Sequence, residues 1–204
     1  MGTDAGRVGG ETALMTGAAL TPGPVLETER LILRPPGRED LDAWADFMSD
    51  GEHVRFIGGA QSRPVAWRGM MSVIGAWTAY GFGFFSVIEK SSGRWIGRLG
   101  PWQPEGWPGT EIGWGIVADA GGKGYATEGA AAAMDWAFEH LGWKEIIHTI
   151  DFDNATSRSV AAKLGSQKLR NGRLPEPYHE KELEVWGQTR EQWAVNRSRW
   201  EKAL

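Results

Sequence analysis

Cysteine is absent from the 204 residues, which excludes a disulfide scaffold, a thiolate metal site and a cysteine nucleophile. No uninterrupted apolar run approaches the roughly eighteen residues of a membrane span. No basic block is present and the formal charge is −4, so neither a membrane nor nucleic acid is expected as a partner. Histidine is sparse. His53, His140, His148 and His179 form no i, i+4 pair or ligand cluster, so no metal site is expected. What remains is 41% apolar and 24% charged, the composition of one soluble domain, expected in the cytoplasm. Tryptophan is the excess: twelve residues imply either an aromatic-lined cleft or a core built from large side chains.

Residues 1–24 are rich in Gly, Ala and Thr, lack a sustained period and lack the cationic start of a secretory signal. They read as a flexible tail or a mis-assigned start, leaving residues 25–204 as the folded domain. Leu26 to Arg34 reads as a strand stopped by Pro35-Pro36. Asp40 to Met48 has helical spacing. Ser62-Arg-Pro64 opens a second helix with Trp67, Met70, Met71, Ile74 and Trp77 on its apolar face. Phe82 to Ile88 and Arg94 to Leu99 form a hairpin around Lys90-Ser-Ser-Gly93. A Pro/Gly/Trp loop (Gly100 to Gly109) leads to a third strand at Thr110 to Val117. A helix (Tyr125 to His140), a strand (Glu145 to Phe152), a helix (Ala155 to Leu164) and short strands near Gln167 to Arg170 and Glu182 to Gly187 complete the chain. Three antiparallel strands followed by a β-α-β-α-β stretch give an α/β fold with one mixed sheet. His148 alternates with Ile146 and Ile150 and is expected to be a satisfied core histidine.

The stretch that carries chemistry is Ala120-Gly-Gly-Lys-Gly-Tyr-Ala-Thr-Glu128, between a strand and an Ala-rich helix. A glycine turn entering a helix leaves several backbone N–H groups unpaired beside the positive end of the helix dipole, a phosphate site that needs no basic side chain. Gly122 and Gly124 let the backbone come close to a ligand; the alternative is a tight turn and nothing more. Lys123 is followed by Gly124 rather than Ser or Thr, so this is not a P-loop. Gly113-Trp-Gly115-Ile-Val-Ala118 fits a loose dinucleotide pattern but lies inside a strand.

Taken in order, Glu111-Ile-Gly-Trp114, Gly122-Lys-Gly-Tyr-Ala-Thr-Glu128, Asn154 with Ser157, and Lys163-Leu-Gly165 resemble the GNAT superfamily of acetyl-CoA-dependent N-acetyltransferases. Glu27 to Arg34 resembles the first strand of its RimJ/RimL-like branch. The resemblance spans about residues 25–190. It implies a mixed, mostly antiparallel sheet with helices on both faces, acetyl-CoA as cosubstrate, and a primary amine as acceptor (a protein N-terminal α-amine or a small molecule). It is compatible with a homodimer. Two departures stand out. Gly121 occupies a place where relatives carry Gln, Arg or an aromatic residue, and Ala161 replaces the tyrosine that protonates the departing thiolate; Ser166 replaces a phenylalanine. These departures leave open a second reading, a non-catalytic acyl-CoA-binding module.

The family's chemistry is direct attack of an amine on a thioester, which needs a base, an oxyanion donor and an acid. The resemblance places the donor at the backbone of Ile116 and Val117, and coenzyme contacts at Gly122, Lys123, Gly124, Tyr125, Ala126, Thr127, Asn154 and Lys163. Glu111 is the base candidate, because Gly113 and Gly115 share its face and leave room; the other reading is a solvated strand carboxylate. Ser157 is the acid candidate by default, although Asn154 and Ser157 also read as a helix cap and a first-turn residue. Trp102, Trp107 and Tyr178 are candidates for the acceptor pocket. Trp67 and Trp77 read equally as pocket or core. Glu128, in the first turn of its helix, is accounted for by the dipole.

Overall fold

A computed structural model describes residues 23–201, with side chains as far as residue 198. The expected tail, residues 1–24, lies outside the described residues except for its last two. Leu31 and Leu33 are fully buried while Ile32 and Arg34 are partly so, the alternation of a half-buried strand, β2 (Leu31–Arg34). The single strand expected over 26–34 is instead two. β1 (Leu26–Glu27) turns back on β2, pairing Leu26 with Leu33. The turn is captured from outside: Glu128 accepts from Thr28 Oγ1 (2.5 Å) and Arg30 N (2.9 Å), and Lys90 Nζ reaches Thr28 O (2.7 Å).

Helix α1 (Leu41–Ser49) buries Trp44, Ala45, Phe47 and Met48. Helix α2 (Arg63–Tyr80) follows Ser62, whose extended backbone (ψ 154°) and Pro64 set its entry; Gly81 (φ 73°) ends it in the left-handed region open to glycine. Its buried face is Ala66, Met70, Val73 and Trp77, of which Met70 and Trp77 were expected. Met71 and Ile74 flank it, and Trp67 is exposed on the outer side. Strands β3 (Phe85–Glu89), β4 (Trp95–Trp102) and β5 (Glu111–Ile116) make an antiparallel meander, and β4 runs on to include Trp102. Helix α3 (Tyr125–His140), strand β6 (Glu145–Ile150), helix α4 (Ala155–Lys163) and strands β7 (Gln167–Arg173) and β8 (Glu182–Thr189) follow. A helix unforeseen from the sequence, α5 (Arg190–Glu201), ends the described chain.

The sheet order is β1-β2-β3-β4-β5-β6-β8-β7, and every pairing is antiparallel except β5 with β6. Helices lie on both faces. Phe47 of α1 approaches Gly115 on one face; on the other, Gly129 of α3 sits so close to Leu99 that a Cβ there would come within 2.5 Å of its Cδ2. Among the described residues no helix is long and apolar enough to cross a membrane.

The parallel pair positions the site. β5 and β6 share one registered pair, Glu111 with Ile147, closed by Ile147 N to Thr110 O (2.9 Å). Beyond it the strands part, and side chains take over where backbone bonds stop. His148 Nδ1 lies 2.7 Å from Ile112 O, bridging the gap, and its Nε2 lies 3.0 Å from Ser166 Oγ.

Candidate acetyl-transfer site

A cavity of about 740 Å³ opens where β5 leaves β6. It collects Glu111, Ser157, Trp102, Trp107, Tyr178 and Asn154, six residues singled out from the sequence, together with Arg98 and Thr149, which were not. The cavity reaches both faces of the sheet. Glu111 and Arg98 approach from the α1 side, and Ser157 on α4 approaches from the other beside Trp114.

Glu111 is buried, not a solvated strand carboxylate. Its Oε1 accepts from Thr149 N and from Thr149 Oγ1 (2.9 Å each), and its Oε2 accepts from Trp107 Nε1. Thr149 Oγ1 also lies 3.1 Å from Oε2, so its single proton is shared between the two oxygens, and about four lone-pair positions hold only three protons. Burial pushes the Glu111 pKa up, with Thr149, Trp107 and the charge of Arg98 pulling the other way. The neighbouring glycines serve a purpose other than leaving room. A Cβ on Gly113 would lie 3.2 Å from Phe84, and one on Gly115 would lie 2.9 Å from Phe47 Cζ, so both glycines admit aromatic rings against the strand. Trp102 stacks on Phe84 with centroids 5.0 Å apart.

Ser157 has two neighbours that fix it. Its N–H donates to Asn154 Oδ1 (3.0 Å), the expected helix cap, and its Oγ lies 3.3 Å from Trp114 Nε1. Since the indole N–H can only donate, the serine keeps its own proton for another acceptor. Ala161 is fully buried. His148 is the satisfied core histidine expected; burial lowers its pKa to about 4, countered by the Ile112 carbonyl.

The two backbone donors implied by the resemblance part company. Val117 N–H donates to Ile96 O of β4 (2.9 Å), so it is committed to the sheet, a correction to the expected pair. Since backbone groups alternate sides along a strand, the amides of Trp114 and Ile116, beyond the registered pair, face the gap instead. The Ile116 carbonyl meets the ring of His53 there.

The glycine turn lies outside the cavity, at the start of α3. Gly124 caps the helix at φ 85° and offers no side chain to the first-turn amides; Glu128 N to Gly124 O (3.0 Å) is the first helical bond. The Tyr125, Ala126 and Thr127 amides precede it. A Cβ on Gly122 (φ 74°) would meet open space, and the amides of the first turn stand beside it at the positive end of the helix dipole. Lys123 is exposed, as is Lys163 near the end of α4. Glu128 does more than answer the dipole. It ties the Thr28–Arg30 turn to α3 through Arg30 Nε (2.6 Å), while Arg30 Nη1 donates to Lys123 O (3.0 Å), holding the turn from behind. The Tyr125 hydroxyl donates to Glu89 Oε1 (2.6 Å) and points away from the turn. Trp77 belongs to the core, its Nε1 donating to Phe84 O (3.0 Å).

Arg98 carried a readable signal, a charge inside an otherwise apolar strand (Trp95-Ile-Gly-Arg98-Leu). Thr149 carried none, because its partner is 38 residues away in sequence.

The family model for the acetyltransferase (GNAT) domain matches residues 30–167. The Bacillus licheniformis protein described as uncharacterized N-acetyltransferase p20 is 30% identical over 146 residues, 70% of this chain and 82% of its own. An acetyltransferase from Agrobacterium tumefaciens has a similar structure, with a TM-score of 0.73 at 30% identity, covering 82% of this chain and 95% of that one. RimJ of Mycobacterium smegmatis, solved with CoA-disulfide, shares the fold at 20% identity (TM-score 0.64, 84% of this chain and 88% of that one).

Proposed function

The chain belongs to the GNAT acetyltransferase family and is an acyltransferase; on that premise we propose that it moves an acetyl group from acetyl-CoA to a primary amine, with Glu111 as the base. Acetyl-CoA, when bound, supplies the activated acyl group as a thioester. The observation that carries the reading is a buried carboxylate, held by three protons against about four lone-pair positions, that lines a cavity where β5 and β6 part. An alkyl ammonium has a pKa around 10 and an α-ammonium near 8, so each must lose a proton before it can attack. Burial raises the proton affinity of Glu111 toward what that transfer needs.

The remaining roles follow from position. The turn amides of residues 122–127 hold the diphosphate, with the Gly122 backbone open to it. The Trp114 and Ile116 amides, facing the gap, are donors for a carbonyl oxygen that gains charge. The Ser157 hydroxyl, held by Trp114, delivers a proton to the departing sulfur in place of the missing tyrosine. Asn154 orients α4 beside the same gap. The test is thiol release from acetyl-CoA across N-terminal peptides, amino acids, polyamines and aminoglycosides, with mass spectrometry of the product. Release that depends on both amine and Glu111 is expected; thiol release from none of the amines would overturn the proposal.

A further inference from the structure

Arg98 sits on β4 opposite Gly115, on the sheet face that also carries Glu111. Its guanidinium carbon stacks 4.4 Å from the centre of Phe84 and 5.5 Å from that of Trp44. Its Nε is buried without a hydrogen-bond partner, and the guanidinium forms no ion pair or hydrogen bond with any described residue. The other cavity cations are matched: Arg55 with Glu52 and Lys181 with Asp151. Arg98 as a whole is half-buried, so its terminal N–H groups open to the cavity while Nε stays buried and unpartnered, an arrangement that an anion entering the cavity would relieve. Aromatic faces supply attraction to its plane but accept none of its N–H groups.

The partner is not Glu111, whose oxygens are already held by Thr149 and Trp107. The two charges are nonetheless neighbours. A Cβ on Gly113 would lie 3.7 Å from Glu111 Oε1 and 3.2 Å from the Phe84 ring on which Arg98 stacks. The cavity therefore presents, on one sheet face and between apolar walls, a carboxylate and a guanidinium that interact through charge but share no hydrogen bond. A molecule complementary to both carries an ammonium group and a carboxylate on an apolar body.

We propose that the acceptor is a small amine that also bears a carboxylate, an apolar or aromatic α-amino acid being the simplest, with Arg98 binding the carboxylate while the amine meets Glu111. This rests on the acetyl-transfer reading for the amine, but the carboxylate half is measurable alone. Guanidinium–carboxylate bonds are charge-assisted and suited to bidentate geometry, so a substantial preference follows.

The experiment is calorimetric titration of the full chain, with CoA present, using L-phenylalanine, L-phenylalaninamide and phenethylamine. Phenylalanine is expected to bind about 10–100-fold more tightly than the other two. Arg98→Gln should abolish the difference and Arg98→Lys should restore part of it, each checked for folding by thermal melting. The comparison on the unsubstituted chain needs no variant. Equal affinities, a preference that survives Arg98→Gln, or no binding by any of the three would overturn the proposal. Arg98-dependent binding without thiol release from acetyl-CoA would uphold the carboxylate site and count against the transfer reading. Thiol release with all three amines at equal KM would do the reverse.

Discussion

Acid should unfold this protein through His148. The imidazole is buried at the parting of β5 and β6, with Nδ1 facing the Ile112 carbonyl and Nε2 facing Ser166 Oγ. A carbonyl can only accept, so Nδ1 carries the proton and Nε2 accepts from the serine, which in turn accepts from Gln188 Nε2 (2.9 Å). The neutral ring is fully satisfied, and a second proton, on Nε2, would force the Ser166 hydroxyl to turn its own hydrogen away from the ring. The folded-state pKa falls from 6.5 to about 4. A depressed pKa contributes stability that is complete above about 6.5 and is lost as pH falls through about 4, in total about 3 kcal/mol. Urea unfolding at pH 7 and pH 4.5 measures this, with His148→Gln as the reference that cannot titrate. Between those pH values the unsubstituted chain should lose about 2 kcal/mol more than the variant, most of the total and roughly 1 M in midpoint difference. Carboxylates held low by partners, such as Glu128 and Asp151, lose their contribution in both proteins and cancel. Parallel pH profiles for the two, or an NMR titration of His148 near 6.5, would refute the reasoning.

Glu111→Gln should lower kcat by roughly 10²–10⁴ while leaving acetyl-CoA affinity unchanged, read by steady-state kinetics and calorimetry. Trp107→Phe removes a donor that lowers the Glu111 pKa, so the acid limb of the kcat/KM profile should move to higher pH. Gly124→Ala forces a side chain to φ 85°, with its Cβ 3.4 Å from Arg30 Nη2. Thermal melting should show a loss of roughly 1–2 kcal/mol, and coenzyme affinity should fall with it.

The order of strands and helices was legible because it rests on local pattern. Leu31 and Leu33 alternate with their neighbours, Pro64 and Gly81 bracket α2, and the Ala-rich run declares α3. What escaped depended on partners distant in sequence. The β1–β2 turn looks like continuous strand until Glu128, some hundred residues later, captures Thr28 and Arg30. The buried side of α2 is decided by which residues meet the sheet, and that sent Trp67 outward. Helix α5 had a usable signal that went unread. Thr189 and Gln192 form a capping box, with Thr189 N to Gln192 Oε1 at 2.8 Å and Gln192 N to Thr189 Oγ1 at 3.3 Å. Glu111 was legible as a residue but not as an environment, since burial and the Thr149 donors appear only when β6 lies alongside.

The parting of β5 and β6 explains why the chemistry gathers where it does. Two parallel strands that separate after one registered pair leave polar backbone facing no partner, an arrangement that must be satisfied by something else. Here histidine side chains answer two carbonyls, His148 at Ile112 and His53 at Ile116. The amides between them, on Trp114 and Ile116, are left to face the gap. Ser166 fits this scheme: it is buried, and it supplies the hydroxyl that fixes the neutral tautomer of His148. Beside the gap, Thr149 and Trp107 fix Glu111, and Trp114 fixes Ser157. The opening is thus held by side chains that spend their hydrogen bonds on one another, so that the remaining proton-accepting capacity of Glu111, the hydroxyl proton of Ser157 and the gap-facing amides are what is left for a substrate.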